Sequence, residues 1–526
     1  MNAHQPASTC SASLVAGLLR PDGYPHPVKA VRLIETHISW VFLTGTWAYK
    51  VKKPVNLGFA DFTSLESRRH FCEEELRLNR RLAPGIYESV VAVRGTLRAP
   101  RIEGDGKVLE YALKMREFPQ HALASDMLTR GMLTARHVDL LAQGIAAFHE
   151  KAERAGRRSP FGTPDAVLKP AIDNFETLRS CFDDRTSTES LRALREWTER
   201  EYAARETMFA ARQEDGFVRE CHGDLHLRNI AVIDGSPLVF DCIEFDARLR
   251  WIDVMSEIAF VVMDFEDRGR RDFGWRFLNA HLEATGDYAG AAVMRFYLVY
   301  RALVRAKVHA IRARQPGVGH AERQRLGGVA RNYVALATRF TAIREAALVI
   351  THGVSGSGKT RATQSLLEHS GAIRVRSDVE RKRLYSLAPL ARTGAAPGGG
   401  IYTDAATVAT YQRLLRLAGK LVAAGYRTIV DAAFLKRSER ESFRAAARTL
   451  RIPFFILACE APAATLRERV AQRLDREDDA SEADGAVLER QLLFREPLAS
   501  DETRDAVRID TSMPISTALW KTIFNA

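Results

Sequence analysis

The chain has 526 residues, enough for two to four domains, and its 46% hydrophobic and 27% charged residues can bury substantial cores, which excludes a disordered polymer. No apolar run is long enough to span a bilayer, and SASLVAGLLRPDGYP has no basic lead-in to make it a signal peptide, so a cytoplasmic location is expected. A net charge of +12 would suit phosphorylated or nucleic-acid partners, but the arginines stand among acids, as in RRHFCEEELRLNRR, which disfavours a dedicated nucleic-acid surface.

Residues 1–30 read as an N-terminal extension. From about Val31 to Tyr111, strand-like runs (HISWVFL, AYKVKK, SVVAVRG, VLEYALKM) enclose one helical stretch, SLESRRHFCEEELRLNRRLA. Helical periodicity then runs from Ala124 to Arg212. The segment CHGDLHLRN follows, then a hairpin made of IAVI, the turn DGSP and LVFD. Long helices resume from Asp253 to Arg314, QPGVGH breaks them, and another helix continues to about Glu345. At Ala346 the pattern changes to strand–helix alternation (AALVITHG, IRVRSD, YRTIVDAAF, IPFFILACE), the wiring of a parallel sheet. The boundary between two domains, 31–345 and 346–526, is placed there, with a flexible loop at Arg392–Gly400. Six cysteines without CxxC spacing suit reduced, packed thiols better than disulfides or zinc.

Phosphoryl transfer needs a base to orient a hydroxyl, a metal to hold phosphates, and cations to spread charge. In CHGDLHLRN, Asp224 supplies a carboxylate for the hydroxyl and Asn229 an amide oxygen for magnesium. Asp241, on the return strand of the hairpin, supplies the second metal ligand, and His222 braces the loop. Asp253 is expected to pair with Arg248 and Arg250, and Glu244 and Asp246 either pair in the same way or face the substrate.

This order, H-G-D-x-H-x-x-N and then a strand-borne aspartate, resembles the aminoglycoside phosphotransferase and choline kinase branch of the protein-kinase-like fold. The resemblance implies an α+β domain. It further implies Lys50 (alternate Lys52) at the α and β phosphates, Glu75 (rival Glu74) beside that lysine, and a hinge for adenine at Met115, Arg116 and Phe118. The G-x-G-x-x-G loop of protein kinases is absent.

GVSGSGKT satisfies G-x-x-x-x-G-K-[ST] between a buried strand and a helix. Gly353, Ser355, Gly356, Ser357 and Gly358 let backbone amides converge on phosphate oxygens, Lys359 reaches the β and γ phosphates, and the Thr360 hydroxyl goes to magnesium. No LSGGQ-like signature is present. The following layout resembles P-loop kinases akin to polynucleotide kinase, zeta toxin and the gluconate and shikimate kinases, an α/β fold with a parallel sheet. That resemblance implies Asp378 as general base, Arg381 toward acceptor or phosphate, Asp431 behind magnesium, and Arg473 as lid cation. A helix N-cap is the alternative for Asp378. Arg467 and Arg469 are expected to form surface pairs with Glu468 and Asp475. The stretch GIYTDAATVATY is similar to a segment of the same kinases, which implies that Tyr402 and Tyr411 border the acceptor pocket; core packing is the alternative for Tyr411.

Both halves together resemble a bacterial two-domain family, aminoglycoside phosphotransferase-like and then P-loop kinase-like. Two ATP–magnesium sites are implied, with a hydroxyl-bearing small molecule or nucleotide as acceptor. The stretches ESLRALREWTER and MRFYLVYRALVRAK are mixed or basic and do not suit an aminoglycoside polycation. The alternatives are a kinase-like binding module joined to one active P-loop kinase, acting on nucleic-acid ends, or a P-loop nucleotide switch.

Overall fold

β-Branched and aromatic residues, which favour extended backbone, recur through β1 (Arg32–Glu35), β2 (Ser39–Leu43), β3 (Trp47–Lys52) and β4 (Tyr87–Thr96), and the strands β5 (Ala99–Ile102) and β6 (Val108–Arg116) follow. In the computed structural model, which describes residues 6–56, 58, 60–182, 184–315, 317–342, 345–394, 398–476 and 479–524, these six form one antiparallel sheet in the order β1-β2-β3-β6-β4-β5. Residues 395–397 of the loop expected at Arg392–Gly400 lie outside that set. The helix Leu65–Asn79 starts where the Ser64 side chain accepts from the Ser67 N–H, and it packs on β4 and β6. The helix Pro6–Leu18 belongs to the same body, because Leu14 and Leu18 join Tyr24, Phe42, Tyr49 and Val93 in one core.

Val218–Glu220 (β7) pairs with Trp251–Asp253 (β10), and Ile230–Ile233 (β8) with Ser236–Val239 (β9). The β8–β9 hairpin is the one expected, turning at Asp234 and Gly235, both at positive φ. The long helical stretch expected from Ala124 to Arg212 contains helices at Ala135–Lys151, Arg185–Ala203 and Glu206–Glu214.

After the helix His320–Thr341, Leu348–His352 (β11), Ile373–Arg376 (β12), Thr428–Asp431 (β13), Phe454–Glu460 (β14) and Ala506–Asp510 (β15) form an all-parallel sheet in the order β12-β13-β11-β14-β15. Val349, Ile429, Leu457 and Trp520 fill its core. An α+β architecture on an antiparallel sheet is thus followed by an α/β architecture on a parallel sheet.

The chain gathers into two compact units, Met1–Val167 with Phe209–Val261, and Leu168–Met208 with Val262–Ala526. This partition differs from the sequence division at residue 345, because the helix Arg271–Thr285 packs on the helix Lys359–Ser370 and on β12. No described helix is long and apolar enough to cross a membrane.

Candidate functional site

In the first unit, the two-residue period of β3 places Lys50 and Lys52 on one face. Both meet Glu75, which is fully buried: Lys50 Nζ donates to Oε1 and Lys52 Nζ to Oε2, each at 2.7 Å. Lys50 also donates to Asp241 Oδ1 at 2.5 Å, and Lys52 to Glu244. Burial opposes the charge of Glu75, but the two ammonium groups hold its carboxyl down at about 2. Glu74 instead pairs with Arg77 and Arg250. Lys52 is therefore a second, structural partner of Glu75, and Glu244 is its buried counter-ion.

The 221–229 loop is stitched to the strand that follows it. His222 Nε2 lies 2.8 Å from the Phe240 carbonyl, and the Asp224 N–H donates to His222 Nδ1 at 3.3 Å. Burial pushes the His222 imidazole below the usual histidine range, which suits a neutral brace. Asn229 Nδ2 donates to the backbone carbonyl and to Oδ2 of Asp224, at 3.0 and 3.1 Å, and the Phe240 N–H donates to the Asn229 carbonyl at 3.0 Å. Asp241 sits just past β9 at φ +65°, its N–H donating to the Tyr87 hydroxyl at 3.0 Å. Beneath the loop, Glu257 Oε1 accepts from the His222 and Gly223 amides at 2.6 and 2.8 Å, while Oε2 lies 2.7 Å from His149 Nε2.

Met115 and Arg116 end β6, and Phe118 packs against Phe240 with ring centroids 5.2 Å apart. The Arg116 and Glu117 amides already donate, to the carbonyls of Ile86 and Thr46.

The pairing expected for the downstream acids needs correction. Asp253 forms a buried bidentate pair with Arg212 at 2.6 and 2.8 Å: Arg212 lies on the helix Glu206–Glu214 just before β7, and the β7–β10 pairing sets Asp253 opposite Val218 at the start of β7. Asp246 pairs with Arg248, while Arg250 meets Glu220 and Glu74.

In the second unit, β11 runs into a loop whose glycines are required by space. A Cβ on Gly356 would come within 2.7 Å of the Leu466 carbonyl oxygen, and one on Gly358 within 2.8 Å of Thr511, both at positive φ. Among the described residues no hydrogen bond engages the amides of Gly356, Gly358, Lys359 or Thr360. The Ser355 amide donates to Gln491 Oε1 at 2.7 Å, and the Ser357 amide to the Val354 carbonyl at 3.2 Å. Lys359 Nζ folds back onto the carbonyls of Gly353 and Val354, at 2.9 and 2.8 Å, and burial pushes its ammonium below the usual lysine range.

A cavity of about 1480 Å³ is lined by Ser355, Gly356, Gly358, Lys359, Thr360, Asp378, Arg381, Asp431 and Arg473, together with Tyr402 and Tyr411. Asp378 lies in the first turn of the helix Ser377–Leu384, whose N-cap is Arg376, so Asp378 is not the cap. Asp431 ends β13 and accepts from Thr363 Oγ1 at 3.3 Å. Arg381 donates to the Ile401 carbonyl at 2.9 Å, and Arg473 to the Ala483 carbonyl at 2.6 Å. The Tyr411 hydroxyl accepts from the Phe434 amide at 3.1 Å within the core, whereas the Tyr402 hydroxyl donates to Glu482 at 3.3 Å.

Arg469 is a second correction: it donates to the Gly356 carbonyl at 3.2 Å and to Thr511 Oγ1 at 2.9 Å, bracing the phosphate loop. Arg467 is an exposed ion-pair partner, but of Glu489, because the helix Gly485–Phe494 packs on the helix Ala463–Arg476. The Asp475 side chain lies outside the described residues.

The sequence gives no expectation for the Lys52–Glu244 pair, for Glu257 or Gln491, or for Arg469 as a brace of the phosphate loop. Only the Lys50/Lys52 spacing carried a local signal for any of them.

A family model described as an AAA domain matches residues 348–498, which contain every phosphate-loop residue named above. Proteins of Mycobacterium tuberculosis (strain H37Rv) and Mycobacterium bovis, both described as uncharacterised, are 30% identical over 466 residues, covering 88% of this chain and 91% of theirs. The chain belongs to that family. Its members share nearly the whole length of this chain, and the AAA domain match falls in the second half of the chain.

Several solved structures are similar to parts of this chain. A choline/ethanolamine kinase family protein from Mesorhizobium loti covers 62% of this chain and 99% of its own, with 12% identity and a TM-score of 0.37. The amicoumacin kinase hAmiN covers 63% and 94%, with 13% identity and a TM-score of 0.38. A sugar kinase from Janibacter sp. HTCC2649 covers 34% and 91%, with 21% identity and a TM-score of 0.27.

Proposed function

We propose that the chain is a cytoplasmic ATP-dependent phosphotransferase with two nucleotide sites, each moving a γ-phosphoryl group to a hydroxyl of a small molecule or nucleotide. The observation that carries this reading is the second-unit cavity. There a carboxylate (Asp378), a phosphate-loop lysine (Lys359), a hydroxyl (Thr360), a strand-end carboxylate (Asp431) and a cation (Arg473) line one space. In this reading Asp378 takes the acceptor proton, the loop amides and Lys359 hold the phosphates, and Arg473 spreads charge as the phosphoryl group transfers.

The donor sets suit magnesium, which prefers oxygen ligands. Thr360 and Asp431 would hold it in the second unit, and the loop there is a cradle that a Cβ would fill. Asn229 and Asp241 would hold it in the first, where the Asp241 side chain is 45% exposed. Bound there, the ion would bridge and neutralise phosphate oxygens. Asp224 would orient the acceptor in the first unit, Lys50 fixed by Glu75 would meet the α and β phosphates, and the Phe118 amide would serve as hinge donor.

One observation favours a second reading, in which the first unit binds and regulates without catalysing. The Arg116 and Glu117 amides are committed to carbonyls within the unit, which narrows adenine recognition at the hinge. A metabolite-extract screen with terminally labelled ATP separates the two. The two-site reading expects labelled small molecules that disappear in part with Asp224→Ala and in part with Lys359→Ala. An Asp224→Ala chain whose labelled products match those of the parent supports the regulatory reading instead.

A further inference from the structure

The helix Arg271–Thr285 lies outside the segment matched by the AAA domain model, yet it belongs to the second compact unit. Its residues Arg276, Asn279 and Glu283 recur at three- and four-residue spacing, so they share one face. All three reach the first strand–helix turns of the P-loop fold. Arg276 pairs with Glu368 at 2.7 Å. Asn279 accepts from the Arg374 amide at 2.7 Å and donates to the Ala372 carbonyl at 3.0 Å, so the helix ties down β12, the edge strand of the sheet. Glu283 takes the guanidinium groups of two arginines: Arg376 donates to Oε1 at 2.8 Å, and Arg374 lies 3.5 Å from Oε2.

Arg376 occupies a demanding position. Across the parallel pair its partner in register is Asp431, so the two side chains emerge side by side on the same face of adjacent strands. Asp378 follows two residues later. Both acids line the cavity with Arg376, and both are needed there unpaired, one to accept a proton and one to serve a cation. An arginine beside them would ordinarily claim one. Among the described residues it claims neither: its two terminal nitrogens are held by Glu283 and by Asp479 Oδ1, the latter at 2.6 Å. Arg374, on the same face of β12, is held by Glu283 and by the Thr360 carbonyl and Thr363 hydroxyl, both at 3.3 Å.

We propose that Glu283 is a positioning residue of the P-loop site, contributed from outside the P-loop domain, which together with Asp479 withholds Arg376 from Asp378 and Asp431. The proposal rests on reading the cavity as a phosphotransfer site. It means that this site is complete only when the helix before the P-loop half is in place. Neutralising Glu283 frees one end of the guanidinium to swing onto Asp431 or Asp378. A carboxylate paired in that way is a poorer metal ligand and a poorer base.

The test uses the full-length chain carrying Lys50→Met to silence the first site, and measures ADP binding by titration calorimetry with magnesium and with EDTA. Glu283→Gln is expected to leave ADP affinity in EDTA near that of the parent, while the gain on adding magnesium falls roughly 10–100-fold, as for loss of a group that orients a metal ligand. Adding Arg376→Met to Glu283→Gln restores the gain, because the competing cation is gone. Asp479→Asn moves the gain in the same direction and stands in if Glu283→Gln does not fold. A purely structural role would lower affinity with and without magnesium alike and would not be rescued by Arg376→Met. That pattern, or a Glu283→Gln chain with the parental magnesium gain, overturns the proposal. A parent that binds no ADP at all overturns the phosphotransfer reading of the cavity, and this inference with it.

Discussion

Replacing Lys52 with methionine removes the cation that joins Glu75 to Glu244. Lys52 is 1% exposed, Glu75 0% and Glu244 5%, so nothing in solvent compensates. Glu75 keeps Lys50 at 2.7 Å, but Glu244 loses its ion-pair partner in a site where burial already raises its carboxyl above the usual range. Stranding one member of a buried pair costs about 3–5 kcal/mol. For a unit of 150–250 residues that is a fall of roughly 6–20 °C in melting temperature. The double variant Lys52→Met/Glu244→Leu removes both charges and should recover most of the loss, since apolar replacement of a buried pair is often neutral or stabilising. Lys50→Met differs in kind: it strands the half-exposed Asp241 while Glu75 retains Lys52, so the expected loss is nucleotide binding rather than stability. Thermal unfolding followed by circular dichroism, with calorimetric nucleotide titration, separates the two. A Lys52→Met chain that melts with the parent, or a double variant that melts no higher than the single, refutes the reasoning.

Three further outcomes follow from the geometry. Asp224→Asn and Asp378→Asn should each lower phosphoryl transfer at their own site by roughly 10²–10⁴-fold with nucleotide affinity kept, as for loss of a catalytic base; steady-state kinetics with nucleotide titration checks this, and a loss of affinity instead assigns them to binding. Gln491→Ala frees the Ser355 amide from its side-chain acceptor and should tighten ADP binding several-fold, since a hydrogen bond of this kind contributes about 1 kcal/mol; weaker binding would make Gln491 a nucleotide contact. Burial depresses His222 despite the nearby charges of Glu257, Asp224 and Asp241, so the unfolded chain takes up this proton first. The stabilising contribution is therefore full above about pH 6.5 and lost as pH falls from there toward the folded value. The difference in unfolding free energy between the parent and His222→Gln should shrink between pH 8 and pH 5, and a difference that stays constant counts against a neutral brace.

What the sequence made legible is what is local. The HGD loop, its hairpin and the phosphate loop are short segments whose residue types and turns are set by neighbours a few positions away, and the structure brings Asp224 to Asn229 and Lys359 to Asp378 and Asp431. Lys50 and Glu75 could be matched through the resemblance, because a strand lysine and a helix glutamate recur in a fixed order. The remainder depends on contacts across long stretches of chain. Glu244 reaches Lys52, Asp253 finds Arg212 rather than its neighbours, and Glu283 reaches Arg376. Charged residues on helices read alike whether they face solvent or a buried partner, so Arg469 looked like a surface residue until the fold placed it against Gly356 and Thr511.

Binding stoichiometry tests the central claim most directly. Equilibrium dialysis of the full-length chain against ATP and magnesium should give two equivalents bound, one after Lys359→Ala, one after Lys50→Met, and none in the double variant. A parent that saturates at one equivalent, or a single substitution that abolishes both, would contradict the two-site account.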